Sequence, residues 1–176
     1  MTFETIFAGF GGQGILFAGK VVAYAGMLKG KNVSHLPSYG PEMRGGTANC
    51  SVIVSDEDVA SPLITEPTAL VVMNGPSLDK FENAVVKGGK IFIDSTLITR
   101  DCKRDDVDVY TIPATQMAVD MGISKLANMI IVGKLIKETG MFTWDELKDA
   151  ITKLVPASKA AMLETNIKAL EAGYNY

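Results

Sequence analysis

The chain has 176 residues, 47 % apolar and 21 % charged, a composition that folds rather than one that stays disordered. Its 17 basic and 20 acidic residues leave a net charge of −3 with no long basic block, so nucleic acid is not an expected partner. Cys50 and Cys102 are the only cysteines, which excludes a four-cysteine iron–sulfur cluster or a zinc ribbon built from this chain alone. The first residues lack the basic-then-apolar layout of a secretory leader, and no apolar run approaches the ~20 residues of a membrane helix. The expectation is a soluble cytoplasmic protein, one domain over residues 1–176, with two reduced thiols.

Thr2–Ala8 reads as a buried strand. Next, "IFAGFGGQGILFAGK" (Ile6–Lys20) sets Gly9, Gly11 and Gly14 in the spacing G-x-G-x-x-G where strand passes to helix. There the first glycine permits a tight turn and the second lets backbone approach a pyrophosphate. The third lets the helix pack closely, while free N–H groups at the helix start attract an anion. A helix is predicted over Gln13–Leu28, and Lys20 is the only charge between Ile15 and Leu28. A helix apolar nearly all round is buried in its own domain or covered by another chain, and in so small a domain the second carries weight.

Lys31–Leu36 is a weak strand, followed by a shaped loop, "PSYGPEMRGG" (Pro37–Gly46), rich in proline and glycine. Thr47–Asp58 reads as a strand ending in an acidic turn, and Ala69–Met73 as a strand closing at Asn74. A helix is expected to start near Ser77 and Asp79 and to stop at Gly88-Gly89. Lys90–Asp94 and Val107–Ile112 are two more strands, and "DCKRDDVD" (Asp101–Asp108) a solvated edge. The last third is helical. Ser124 is placed to cap a helix that Gly140 terminates, and Thr143-x-x-Glu146 forms a capping box. Pro156 opens a final helix that runs to about Glu171 and stops at Gly173. This alternation predicts an α/β, Rossmann-like domain: a mixed, mostly parallel sheet flanked by helices, with a helical C-terminal third.

A nicotinamide site normally places Asp or Glu about 20 residues beyond the glycine turn to hold the ribose hydroxyls. Between Glu4 and Glu42 the sequence has no acidic residue, and only their positions offer Lys29, Lys31 or His35 to a 2′-phosphate. The ordinary NAD reading fails, and with it a self-sufficient dehydrogenase. Two readings of the turn stay open, a phosphate cradle and close packing without a ligand. His35, the one histidine, has no recognisable Ser, Cys or carboxylate partner and reads as structural. Asn74 is either a ligand residue at a strand end or the first residue of an Asn-Gly turn. Arg44 either grips a carboxylate or phosphate or fixes its loop through an ion pair, with Glu42 or across a subunit boundary.

"GFGGQGILFAGK" (Gly9–Lys20), "PSYGPEMRGGTANCSVIVSD" (Pro37–Asp56) and "MNGPSLDKF" (Met73–Phe81) resemble the gamma subunit of 2-oxoacid:ferredoxin oxidoreductases. The likeness continues through "ANMIIVGKL" (Ala127–Leu135) and "ETNIKALEAGY" (Glu164–Tyr174), and it is nearest the 2-oxoglutarate or branched-chain 2-oxoacid type. It implies a complex that turns a 2-oxoacid and coenzyme A into acyl-CoA and carbon dioxide while reducing ferredoxin. The implied partners are alpha, beta and delta subunits, with ferredoxin met through the complex. Thiamine diphosphate, Mg and Fe–S clusters are implied for those partners, since this chain shows neither a Gly-Asp-Gly motif nor cluster cysteines. No residue of this chain is then expected to be catalytic or to bind metal, and the isolated chain is expected to be inactive. The binding residues expected near the coenzyme A approach are Gly11, Gly12, Gln13 and Gly14, with Tyr39, Glu42, Arg44 and Asn74. The rival reading is an autonomous nucleotide- or CoA-binding regulatory module.

Overall fold

The computed structural model describes residues 1–38 and 48–176. Six strands, β1 (Thr2–Gly9), β2 (Asn32–Ser38), β3 (Ala48–Ser55), β4 (Ala69–Val72), β5 (Lys90–Asp94) and β6 (Asp108–Ile112), form one sheet in the order β2-β3-β1-β4-β5-β6. β1, β4, β5 and β6 pair in parallel, whereas β3 runs antiparallel to both β1 and β2. The sheet is therefore mixed and mostly parallel, as the sequence predicts.

The helices are α1 (Ile15–Leu28), α2 (Gly75–Phe81), α3 (Ala114–Asp120), α4 (Ala127–Thr139), α5 (Trp144–Leu154) and α6 (Ala160–Tyr174). Period-two alternation divides the strand residues between two cores. Phe7, Val71 and Phe92 point to the face covered by α1 and α3–α6, where Ile130, Leu135 and Leu170 meet them. Ile6, Ala8, Leu70, Val72, Ile91 and Ile93 point to a smaller cluster closed by Leu78 of α2 and by Val85 and Ile98 from the segments that follow. Because β4 and β5 are buried on both sides, their sequences are continuous apolar runs rather than alternating ones.

The apolar sequence of α1 is absorbed largely by the chain itself. Ile15, Ala18, Val21, Val22 and Ala25 are buried in the larger core, and Lys20 is exposed. The close approach of α1 to the sheet is made at Gly19, where a β-carbon would sit 2.6 Å from Cys50 Sγ. Cover by another chain is not needed to explain most of the uncharged helix.

Elsewhere the structure corrects the reading of the sequence. α2 ends at Phe81 and passes into a 3₁₀ turn over Glu82–Ala84, well before Gly88. The carbonyls just beyond α2 are taken by Arg104, which donates to the oxygens of Glu82, Asn83 and Val85, so "DCKRDDVD" is tied back rather than simply solvated. α3 is unannounced in the sequence. Ser124 begins a 3₁₀ turn and does not cap α4, whose N-cap is Leu126. Gly140 ends α4 in the left-handed conformation, and the Thr143–Glu146 capping box forms in full. Gly173 lies inside α6 rather than ending it, because α6 and α4 cross there. A β-carbon on Gly173 would overlap the Ile130 carbonyl oxygen, and one on Gly133 that of Leu170.

Candidate functional site

The connections from β1 and β4 leave on opposite faces of the sheet, through α1 and α2. The crevice beyond their carboxyl ends is a topological switch point, the place where open α/β sheets bind ligands. Gly11, Gly12, Gln13 and Gly14 lie on the β1 side of it and Asn74 on the β4 side, so the structure brings these five predicted residues together. Tyr39, Glu42 and Arg44 lie outside the described residues.

The turn is shaped by two left-handed glycines, Gly12 at φ +92° and Gly14 at φ +74°. A β-carbon on Gly12 would meet nothing within 4 Å, so this position faces open space. On Gly14 it would overlap the side-chain amide of Asn128, whose Nδ2 donates to the Gly14 carbonyl oxygen at 3.0 Å. The third glycine of the motif therefore makes room for α4 rather than for the strand. The α1 ladder begins with Ala18 N–H donating to the Gly14 oxygen, which leaves the N–H groups of Ile15, Leu16 and Phe17 without a helical acceptor. No acidic residue occupies the first turn, and among the described residues no side chain caps the positive end of the helix dipole. Beside it, Phe10, Gly11, Gly12, Leu16, Phe17 and Ala48 line a groove of about 320 Å³.

Gln13 faces inward. Its Oε1 accepts from Phe10 N–H at 2.6 Å and its Nε2 donates to the Met73 carbonyl oxygen at 2.8 Å. Asn74, buried at 3 % exposure, caps α2 by accepting from Ser77 N–H at 2.8 Å, and its Nδ2 has no partner among the described residues. The Gln13 amide is thus engaged within the turn, and the Asn74 Oδ1 by the α2 cap. Sequence reasoning passed over Asp94, a fully buried carboxylate at the end of β5. It accepts from Thr96 N–H, from Thr115 N–H and from Thr115 Oγ1 at 2.5 Å. Its signal was its place at the carboxyl end of a parallel strand, the same that marks Asn74.

Desolvation lowers the His35 pKa and the nearby Lys20 charge acts in the same direction. Burial pushes the Cys50 thiol up to about 12, so it behaves as a packing residue. A cavity of about 550 Å³ lies between β5–β6 and the segment holding Ile98, Arg100 and Cys102. Its guanidinium is already engaged by Asp79 and Glu82, so it offers no free cation for an anion. Among the described residues no cluster of three or more His, Cys, Asp or Glu is placed to hold a metal ion, and no helix is long and apolar enough to cross a membrane.

The fold is thus of the open α/β class, with a glycine turn at its switch point. The chain belongs to the family described as pyruvate ferredoxin/flavodoxin oxidoreductase, which residues 4–176 match. Ketoisovalerate oxidoreductase subunit VorA of Methanothermobacter thermautotrophicus is 40 % identical over 94 % of this chain, which spans about a third (34 %) of VorA's length. 2-Oxoglutarate synthase subunit KorC of Methanocaldococcus jannaschii is 34 % identical over 97 % of this chain and 91 % of its own. The crystal structure of the gamma subunit of a keto/oxoacid ferredoxin oxidoreductase from Geobacter sulfurreducens superposes with a TM-score of 0.85 at 29 % identity, covering 98 % of this chain and 96 % of that one.

Proposed function

We propose that this chain is the gamma subunit of a 2-oxoacid:ferredoxin oxidoreductase, acting on 2-oxoglutarate, and that its glycine turn faces the pyrophosphate of coenzyme A. The overall reaction joins a 2-oxoacid and coenzyme A to give acyl-CoA and carbon dioxide, with two electrons passed to ferredoxin. End-to-end similarity to KorC supports the subunit role and the substrate. The observation that carries the site is the uncapped, acid-free start of α1 behind a turn whose Gly12 faces open space. An anion there meets the N–H groups of Ile15, Leu16 and Phe17, which have no helical acceptor, and no acidic residue in the first turn of α1 opposes it.

Thiamine diphosphate supplies the decarboxylation chemistry and Fe–S clusters carry the electrons in such a complex. Among the described residues none fits either group. One cysteine is buried in β3, the other stands alone, and Asp94 is used up by Thr96 and Thr115. These cofactors are accordingly assigned to the alpha, beta and delta partners. Tyr39, Glu42 and Arg44 are proposed as further contacts on the coenzyme side, Arg44 pairing a phosphate or carboxylate.

The test is purification of the tagged chain from its own cells. Co-purification with a thiamine-diphosphate subunit and a cysteine-rich subunit, with ferredoxin reduction that needs both 2-oxoglutarate and coenzyme A, is the expected result. A chain that purifies alone and binds coenzyme A or a nucleotide would replace this reading with an autonomous binding module.

A further inference from the structure

We propose that Gln13 is a positioning residue for the coenzyme, and that Gly9 exists to admit its side chain. This inference rests on the reading of the glycine turn as the pyrophosphate-facing element.

Gln13 is the side chain that ties the ends of the two strands flanking the switch point. Its Oε1 takes the Phe10 N–H just after β1, and its Nε2 covers the Met73 carbonyl just after β4. Each bond has an electrostatic consequence for an anion in the crevice. A carbonyl at the carboxyl end of a parallel strand presents its negative end to the crevice, and the Nε2 donor masks it. Meanwhile the amide takes only Phe10 N–H, and the N–H groups of Ile15, Leu16 and Phe17 stay outside its reach. From the other side Asn128 Nδ2 holds the Gly14 oxygen, so the turn is fixed at both ends by neutral amides rather than by charges. A carboxylate in either place could not donate to the Met73 or Gly14 carbonyl oxygen and would repel an anion in the crevice.

Gly9 completes the arrangement. A β-carbon there would stand 2.5 Å from Gln13 Oε1 and 2.9 Å from Ile15 Cδ1, so any side chain at position 9 displaces the glutamine. The first glycine of the motif and the glutamine are thus a matched pair, not two independent signals.

The experiment uses the assembled complex and measures KM for coenzyme A, KM for the 2-oxoacid and kcat separately. Gln13→Met keeps the side-chain length and removes both hydrogen bonds. It is expected to raise KM for coenzyme A roughly five- to tenfold, with kcat and the 2-oxoacid KM moving less than about twofold. Gly9→Ala is expected to do the same, and the double variant to be no worse than either single one, as for groups that act as a unit. Phe10→Glu and Phe10→Lys leave the backbone donor in place and change only the charge at the mouth of the groove. They are expected to raise and lower KM for coenzyme A respectively. If the Phe10 variants shift that KM while Gln13→Met leaves it alone, the positioning role is wrong and the site stands. If neither shifts it, the coenzyme reading itself falls. If Gln13→Met lowers kcat and worsens both KM values alike, Gln13 is only structural and the proposal is overturned.

Discussion

The two faces of the sheet are held by different physics. On one, α1 and α3–α6 are joined by apolar burial and by helices that touch backbone to backbone at Gly133 and Gly173. On the other, α2 and residues 95–106 cover a smaller apolar cluster, and an ionic network does the joining. Arg100 bridges Asp79 and Glu82, and Arg104 pairs with Asp106 while holding three carbonyls. The first kind of contact is neither titrated by pH nor screened by salt, whereas the second is subject to both. The glycine turn lies at the seam, tied to the thick face through Asn128 and to the end of β4 through Gln13.

This contrast is tested most severely at Gly173. Gly173→Ala pushes a methyl group into the Ile130 carbonyl and should cost about 3–5 kcal/mol or prevent folding, read as a fall in denaturant midpoint. At the seam, Gly14→Ala combines a left-handed backbone with overlap on Asn128 and should cost about 2 kcal/mol. On the thin face, Glu82 is 2 % exposed. Burial opposes its ionisation, but hydrogen bonds from Arg100 and Lys103 N–H hold its pKa below the ordinary glutamate value. Its contribution is therefore present above the unfolded-state pKa and is lost as the pH falls through the folded one. Glu82→Gln should cost about 2 kcal/mol at neutral pH, with the gap to the unaltered chain closing in acid and in high salt. A gap that stays constant across pH would show the thin face to be apolar in character after all. The smallest effect is expected at Asp56, whose pKa is lowered to about 2 by Lys31 and the N-terminal ammonium. Asp56→Asn should shift the neutral-pH thermal midpoint only slightly, and the difference should vanish below that pKa, because these groups are exposed and screened.

The sequence showed the thick face better than the thin one. Long apolar periods at Ile15–Leu28 and Ala127–Thr139, the Thr143–Glu146 box and Gly140 are local signals, and each marks the element it predicts. Gly173 misled because a helix terminator and a helix-crossing contact are spelled with the same residue. Only the position of α4, some forty residues away, decides between them. The early end of α2 was invisible for a similar reason, since Arg104, from another segment, holds the carbonyls of the 3₁₀ turn that follows it. At the switch point the glycine spacing located the turn correctly, but not the direction of Gln13. A glutamine among glycines looks like a ligand contact until the Met73 carbonyl is seen beside it.

The central claim is that the turn at the start of α1 meets coenzyme A in the assembled enzyme. Hydrogen exchange of the complex with and without saturating coenzyme A tests it directly. Backbone amides of residues 10–17 are expected to exchange more slowly with the coenzyme present, while the α4–α6 crossing around Gly133 and Gly173 stays unchanged. Exchange at residues 10–17 that is the same in both conditions would contradict the account.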